Sequence, residues 1–228
     1  MHVGILGGTG PAGRAVAARL ASAGLAVTIG SRSVERATGT AARVRDRWPG
    51  RALALDGATN DRAAAADLVV VATPWDAAAA TASLVGPHLA GKLVVSMANA
   101  VARVGDGFEP LVTARGSVAA QVQAAVPEAL VAAALHHLPA RQLAALDTPL
   151  DADVLVCSDH PAATKAAIEL VAMVPGLRAF DAGTLANAAP VEAFTAVLLQ
   201  LNLRYRTHTT LRVTGLDGGT GGAPGRHG

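Results

Sequence analysis

The 228 residues hold a single cysteine, Cys157. One thiol cannot close an internal disulfide, so the sequence reads as a cytoplasmic protein rather than a stapled secreted one. Lysine is scarce, with only Lys92 and Lys165, and the net charge is +2. Without blocks of clustered Lys and Arg there is no electrostatic footprint for nucleic acid, which is excluded as the expected partner. Aromatic residues make up 3% of the chain, so the core must come from Ala, Val and Leu, the content of parallel strands covered by helices. No run reaches the roughly 18 uninterrupted apolar residues of a membrane span, and the Ala-rich region 119–135 is broken by Gln, Pro and Glu. The apolar start is interrupted by Gly7, Gly8, Gly10 and Pro11 and then carries Arg14 and Arg19, which argues against an export signal.

Metal-ligand spacing is missing as well. Seven histidines are present, yet no H-x-x-x-H or His/Cys cluster occurs, and His136 and His137 would point to opposite faces of a strand. Cys157 sits in an apolar run without a cationic neighbour and reads as a buried inert thiol. No G-x-S-x-G is found.

What the sequence does have is alternation. Short apolar runs at 2–6, 26–29, 52–55, 68–72, 92–96 and 130–135 read as strands. Helix-length segments at 11–23, 33–47, 76–85 and 115–126 fall between them, and residues 105–110 read as a loop. Ser33 is a plausible N-cap and Pro49-Gly50 a stop. A strand at 153–157, a helix at 162–174, a strand at 178–181 and a long apolar helix at 191–203 follow. The pattern predicts an α/β fold, a Rossmann-type doubly wound parallel sheet with a small C-terminal α/β lobe. The expected division is 1–150 for a nucleotide-binding domain, 151–214 for the lobe, and 215–228 for a Gly-rich disordered tail.

Gly8-Thr9-Gly10-Pro11-Ala12-Gly13 fits G-x-G-x-x-G. The pattern alone is weak, but it directly follows a strand and opens a helix, where glycines let the backbone approach a pyrophosphate at the positive helix end. An NAD site would carry Asp or Glu at the end of the second strand, to accept from the ribose hydroxyls. This chain has Gly30, Ser31 and Arg32 there, with Arg36 one helical turn further on. A hydroxyl and two guanidiniums suit a 2′-phosphate that a carboxylate would repel, so NADP(H) is the expected cofactor.

Further contacts belong at the carboxyl ends of the strands, where such sheets open their crevice. That rule selects Thr73, Pro74 and Ala77, then Met97, Ala98 and Asn99, then the stretch His136-His137-Leu138-Pro139-Ala140. Trp75 has two readings, a wall of the nicotinamide pocket or simple packing. His136 could polarise a carbonyl or be a satisfied structural histidine. Lys92 begins a strand away from the crevice, and Lys165 lies in the lobe. No catalytic acid or base stands out, which favours a reaction in which cofactors do the chemistry and the protein aligns them.

GILGGTGPAGRAVAARLASAG, IGSRS with Arg36, ATPWDAA, VVSMANA, ALHHLPA, DVLVCSDH and DAGTLANAAPVEAFTAVLLQLN cover nearly the whole chain outside the tail. In these stretches it resembles the 8-hydroxy-5-deazaflavin (coenzyme F420):NADP oxidoreductases. The resemblance implies a Rossmann domain, a small lobe, a homodimer, and a cleft where nicotinamide and deazaflavin rings stack for hydride transfer. It also implies that residues 9–12 hold the pyrophosphate and that Ser31, Arg32 and Arg36 hold the 2′-phosphate. Thr73, Ala77, Asn99 and Ala140 would line the rest of the NADP path, and Leu211 would touch the deazaflavin. Two other readings are an NADPH reductase of a ferric, flavin, imine or carbonyl acceptor, and a non-catalytic NADPH sensor.

Overall fold

The computed structural model describes residues 1–216; the remainder of the glycine-rich tail lies outside the described residues. The chain runs β1 His2–Leu6, α1 Pro11–Ser22, β2 Ala26–Ser31, α2 Val34–Arg47, β3 Leu55–Thr59, α3 Asn60–Ala64, β4 Leu68–Val71 and α4 Trp75–Leu84. It continues through β5 Leu93–Ser96, β6 Val101–Val104, β7 Gly107–Pro110, α5 Val118–Ala125, β8 Leu130–Ala133, α6 Ala140–Leu143, β9 Ala152–Ser158, α7 Pro161–Ala172, β10 Leu177–Asp181 and α8 Ala188–Tyr205.

Eight strands form one sheet in the order β10-β9-β8-β5-β4-β1-β2-β3. From β3 to β8 all neighbours are parallel, and the order reverses between β1 and β4. That reversal is the topological switch point at which doubly wound sheets open a crevice. The strands of the C-terminal segment join the edge of the same sheet. β9 runs antiparallel to β8 through Ala132↔Ser158 and Ala133↔Cys157, and β10 runs parallel to β9.

Side-chain alternation along the buried strands feeds two cores, one on each face. Val3, Ile5, Val70 and Val95 face a core closed by α1, α2 and α7. Leu6, Val69, Val71 and Val94 face the other, closed by α3, α4 and α5 with the start of α8. Alanine dominates the helix faces, so helices sit close to the sheet without aromatic filling.

The observed elements differ from the sequence reading in three places. The third strand lies at Leu55–Thr59 rather than 52–55, because it pairs with β2 up to its end, Val27↔Leu55 through Ser31↔Thr59. Long-range pairing, rather than any local apolar run, sets its bounds. The stretch read as a loop at 105–110 is half of an antiparallel hairpin, β6 with β7, turning at Gly105 with φ +56°. Two one-turn helices, α3 and α6, are too short to leave a periodic signature.

Candidate nucleotide and hydride-transfer cleft

The turn after β1 is closed by its own backbone. The Gly8 amide donates to the Gly30 carbonyl at 2.9 Å and to the Ile5 carbonyl at 3.3 Å, so Gly8 is buried structure rather than lining. Gly7 supplies the left-handed conformation, φ +66°, and a Cβ there would stand 2.4 Å from Thr73 Cγ2. Gly13 serves close packing, since its Cβ would lie 2.7 Å from the Gly8 Cα. Gly10 is the N-cap of α1 and has no side chain to cap it, while Pro11 takes the first helical position. The amides of Ala12 and Gly13, in the first turn, therefore have no intrahelical acceptor. With the dipole behind them they form a ready anion site beside Thr9.

At the end of β2, Ser31 is buried and its Oγ accepts from the Ser33 amide at 3.3 Å. Ser33 caps α2, its Oγ accepting from the Arg36 amide at 3.2 Å. The one nearby carboxylate, Glu35, accepts from the Ser33 hydroxyl at 2.8 Å. Its own backbone amide and that hydroxyl hold its carboxyl below the usual range. Arg32 and Arg36 are exposed and make no ion pair among the described residues.

These parts face one cleft of about 580 Å³. Thr9 and Gly10 of the glycine motif, Ser31, Arg32 and Arg36 after the second strand, and the strand-end residues Thr73, Pro74 and Ala77 all line it. Thr73 Oγ1 is buried there without a protein partner. The cleft also takes Asn60, whose Oδ1 accepts from the Gly7 amide at 3.1 Å and so pins the glycine turn to α3. Sequence reasoning missed Asn60 because α3 was not foreseen, although Thr59 before it is a recognisable N-cap, accepting from the Arg62 amide. It also missed Ala80, Thr81 and Leu84, which line the cleft at helical spacing from Ala77. Trp75 is half-buried and packs against the second core.

The other selected residues lie beyond that cleft. Asn99 Nδ2 donates to the His136 carbonyl at 2.7 Å and approaches Thr195 Oγ1 of α8 at 3.5 Å, tying the ends of β5 and β8 to the last helix. Leu135 before it adopts φ +66°, an unusual conformation for leucine and a point of local strain. The His136 ring is buried with no hydrogen-bond partner among the described residues. Burial, with His137 beside it, drives its pKa down to about 3, so the ring is neutral. His137 is buried too and donates from Nε2 to the Asp153 carbonyl at 2.7 Å. Ala140 opens α6 and packs against the first core. Leu211 lines a separate apolar pocket of about 270 Å³ with His137, Leu155 and Phe194.

The segment carrying Leu211 is held by a buried charge. Asp153 is fully buried, accepts two 2.6 Å hydrogen bonds from Arg178 and one of 2.6 Å from the Val213 amide, and sits 3.2 Å from Arg212. Its own amide donates to the Leu211 carbonyl at 2.8 Å. Burial pushes this carboxyl up, but the Arg178 pair and the other donors outweigh it and hold its pKa below the ordinary value. Among the described residues no group of three His, Cys, Asp or Glu side chains is placed to hold a metal, and no helix is long and apolar enough to cross a membrane. Burial raises the Cys157 thiol to about 11, which leaves it protonated and unreactive at neutral pH.

Residues 2–100 match the family model described as NADP oxidoreductase coenzyme F420-dependent. The F420-dependent NADP reductase of Methanocaldococcus jannaschii is 35% identical over 223 residues, covering 95% of this chain and 100% of that one. That of Methanothermobacter thermautotrophicus is 34% identical over 222 residues, covering 95% and 96%. A crystal structure from Arthrobacter sp. FB24, described as an F420-dependent NADP-reductase, superposes with a TM-score of 0.78 at 27% identity, covering 93% of this chain and 98% of that one.

Proposed function

The chain belongs to the coenzyme F420-dependent NADP oxidoreductases, and from that premise we propose that it transfers a hydride between NADPH and the deazaflavin coenzyme F420. The observation that carries the NADPH half is the pair of guanidiniums, Arg32 and Arg36, lining the same cleft as the glycine turn and making no ion pair among the described residues. The donor set fits a dinucleotide with a phosphorylated ribose: open amides at α1 for the pyrophosphate, two planar forks for the 2′-phosphate. The buried Thr73 hydroxyl, without a protein partner, awaits an acceptor from the ligand.

A hydride passes between the nicotinamide and the deazaflavin, with one proton exchanged with solvent at the deazaflavin, so the reaction asks the protein for alignment more than for a base. Thr9, Ala12 and Gly13 fix the diphosphate. Ser31, Arg32 and Arg36 fix the ribose phosphate and so set the depth to which the nicotinamide end reaches. Thr73, Pro74 and Ala77 line the path toward that end. Asn99 holds the β5 and β8 loops together through the His136 carbonyl, and the His136 ring is buried beside them in its neutral form. No acid or base emerges from these residues, in keeping with a direct transfer between two rings.

The division of labour follows the same proposal. Residues 1–150 bind the nucleotide, and residues 151–214 complete the deazaflavin side, with Ala140 near the junction and Leu211 presented from the segment clamped by Asp153. The enzyme works in the cytoplasm as a homodimer. Support for the dimer comes from α8, which exposes Val197, Leu203 and Tyr205 beside an apolar groove of about 390 Å³ shared with the β6–β7 hairpin. Purified protein mixed with NADPH and each acceptor in turn tests the reading: the deazaflavin must be reduced, and ketones, imines, free flavin and ferric iron must not.

A further inference from the structure

A second concave, cationic feature lies apart from the cleft and shares no lining residue with it. Arg14 of α1 and Arg43 and Arg47 of α2 line one pocket of about 240 Å³, with Thr40 and Trp48 among its walls. Arg43 and Arg47 are one turn apart on the same helix face. None of the three makes an ion pair among the described residues.

The surrounding cations are occupied, and these are not. Arg51 pairs with Asp147 at 2.9 Å. Arg19 spends its guanidinium on the Leu143, Gln142 and Ala145 carbonyls, at 3.0, 2.8 and 2.8 Å. The pocket's own groups are partly organised. The Arg47 guanidinium lies 5.6 Å from the centroid of the Trp48 ring, which restricts a fork that would otherwise be free. Arg43 Nη2 donates to the buried Thr40 hydroxyl at 3.0 Å, leaving the Thr40 proton to donate in turn.

We propose that this pocket is a second oxyanion site that takes a doubly charged phosphate group, either as inorganic phosphate or as the end of a small phosphomonoester. Three arginines around one small concavity make it cationic, and a dianion with several acceptor oxygens would offset that charge while matching their planar donors. A single carboxylate has one charge and two oxygens and would satisfy one fork. The occupant bridges α1 and α2, the two helices whose first turns carry the glycine turn and Arg36. Binding there therefore stabilises the fold by mass action.

The test uses Trp48 as the reporter. The protein has two tryptophans, so Trp75→Phe leaves Trp48 alone. That variant is titrated with inorganic phosphate and, separately, with glycerol 3-phosphate, against sodium chloride at matched ionic strength. The expected result is a saturable change in Trp48 emission with phosphate and not with chloride, together with a rise in thermal midpoint. Both should be retained when Arg32→Ala and Arg36→Ala are added. Both should weaken by about tenfold or more in Arg14→Ala with Arg43→Ala, which leaves Arg47 on Trp48. The tighter of the two ligands distinguishes a free ion from an ester group. A signal reproduced by chloride, a signal that survives Arg14→Ala with Arg43→Ala, or no saturable signal would overturn the proposal. A signal lost with Arg32 and Arg36 would overturn it too, by placing the phosphate in the nucleotide cleft.

Discussion

Removing the Arg32 guanidinium by Arg32→Ala should change cofactor choice rather than chemistry. Hydrogen bonds to a charged partner are worth about 1.5–3 kcal/mol each. Both Arg32 and Arg36 are exposed, where water and salt screen the pair, so the lower end applies. About 1.4 kcal/mol is a factor of ten, so the KM for NADPH should rise roughly tenfold, with kcat nearly unchanged because the lost contact is the same in ground and transition states. NADH lacks the phosphate and should be affected by less than about twofold, that is, well within 1 kcal/mol. Adding Arg36→Ala should weaken NADPH further, but by less than a second full factor of ten, since two forks on one phosphate are coupled. The assay is steady-state kinetics with each nicotinamide cofactor at saturating deazaflavin, repeated at two ionic strengths. The wild-type preference for NADPH should shrink at high salt. Equal losses for NADPH and NADH, or no loss for either, would refute the idea that these guanidiniums read the 2′-phosphate.

Three further outcomes follow from the same geometry. Asp153→Asn leaves Arg178 and Arg212 facing a neutral amide in a buried spot, which should cost about 3 kcal/mol and lower the melting midpoint by roughly 6–12 °C; calorimetry reads this, and an unchanged midpoint would contradict the clamp. Glu192 of α8 is buried and accepts from the Val118 and Ala119 amides at 2.8 and 3.1 Å, with burial raising its pKa to about 7. An acid whose folded pKa is raised contributes stability below its unfolded value that is lost as pH rises through 7. Glu192→Gln gives up one of these two acceptors at every pH, because its amide nitrogen cannot accept, but it removes the titration, so stability measured relative to wild type should shift in the variant's favour by on the order of 1–3 kcal/mol between pH 5 and 8; a wild-type-minus-variant difference that stays constant across that range would rule the linkage out. Val197→Asp, on the exposed face of α8, should turn the proposed dimer into a folded monomer in light scattering coupled to size exclusion; a monomeric wild type, or a dimer that survives the charge, would contradict an interface on α8.

The parts of the fold that were legible are those whose signal is local. β1, β4 and β5 are short apolar runs that can hardly be anything but buried strands, and Ser33 caps α2 as its position suggested. β3 was misplaced because its identity comes from pairing with β2, which no window of residues around Asp56 can express. The cleft divides along the same line. Thr9, Gly10, Ser31, Arg32, Arg36, Thr73, Pro74 and Ala77 were found because strand ends and a glycine turn have fixed places in such sheets, and these residues do converge. Asn60 was invisible because its role, accepting the Gly7 amide, exists only when residues 53 positions apart meet. The antiparallel pairing of β9 with β8 at the sheet edge leaves no local signature in the residues of either strand.

The proposed reaction is hydride exchange between NADPH and the deazaflavin. Its most direct test is to mix the purified protein with NADPH and oxidised F420 under anaerobic conditions and follow the visible absorbance of the deazaflavin. Bleaching should be stoichiometric with NADPH oxidation, much slower with NADH, and weakened by Arg32→Ala. Oxidation of NADPH by an imine, a carbonyl, free flavin or ferric iron while the deazaflavin absorbance stays constant would contradict the proposed reaction, as would tight NADPH binding with no turnover of any acceptor.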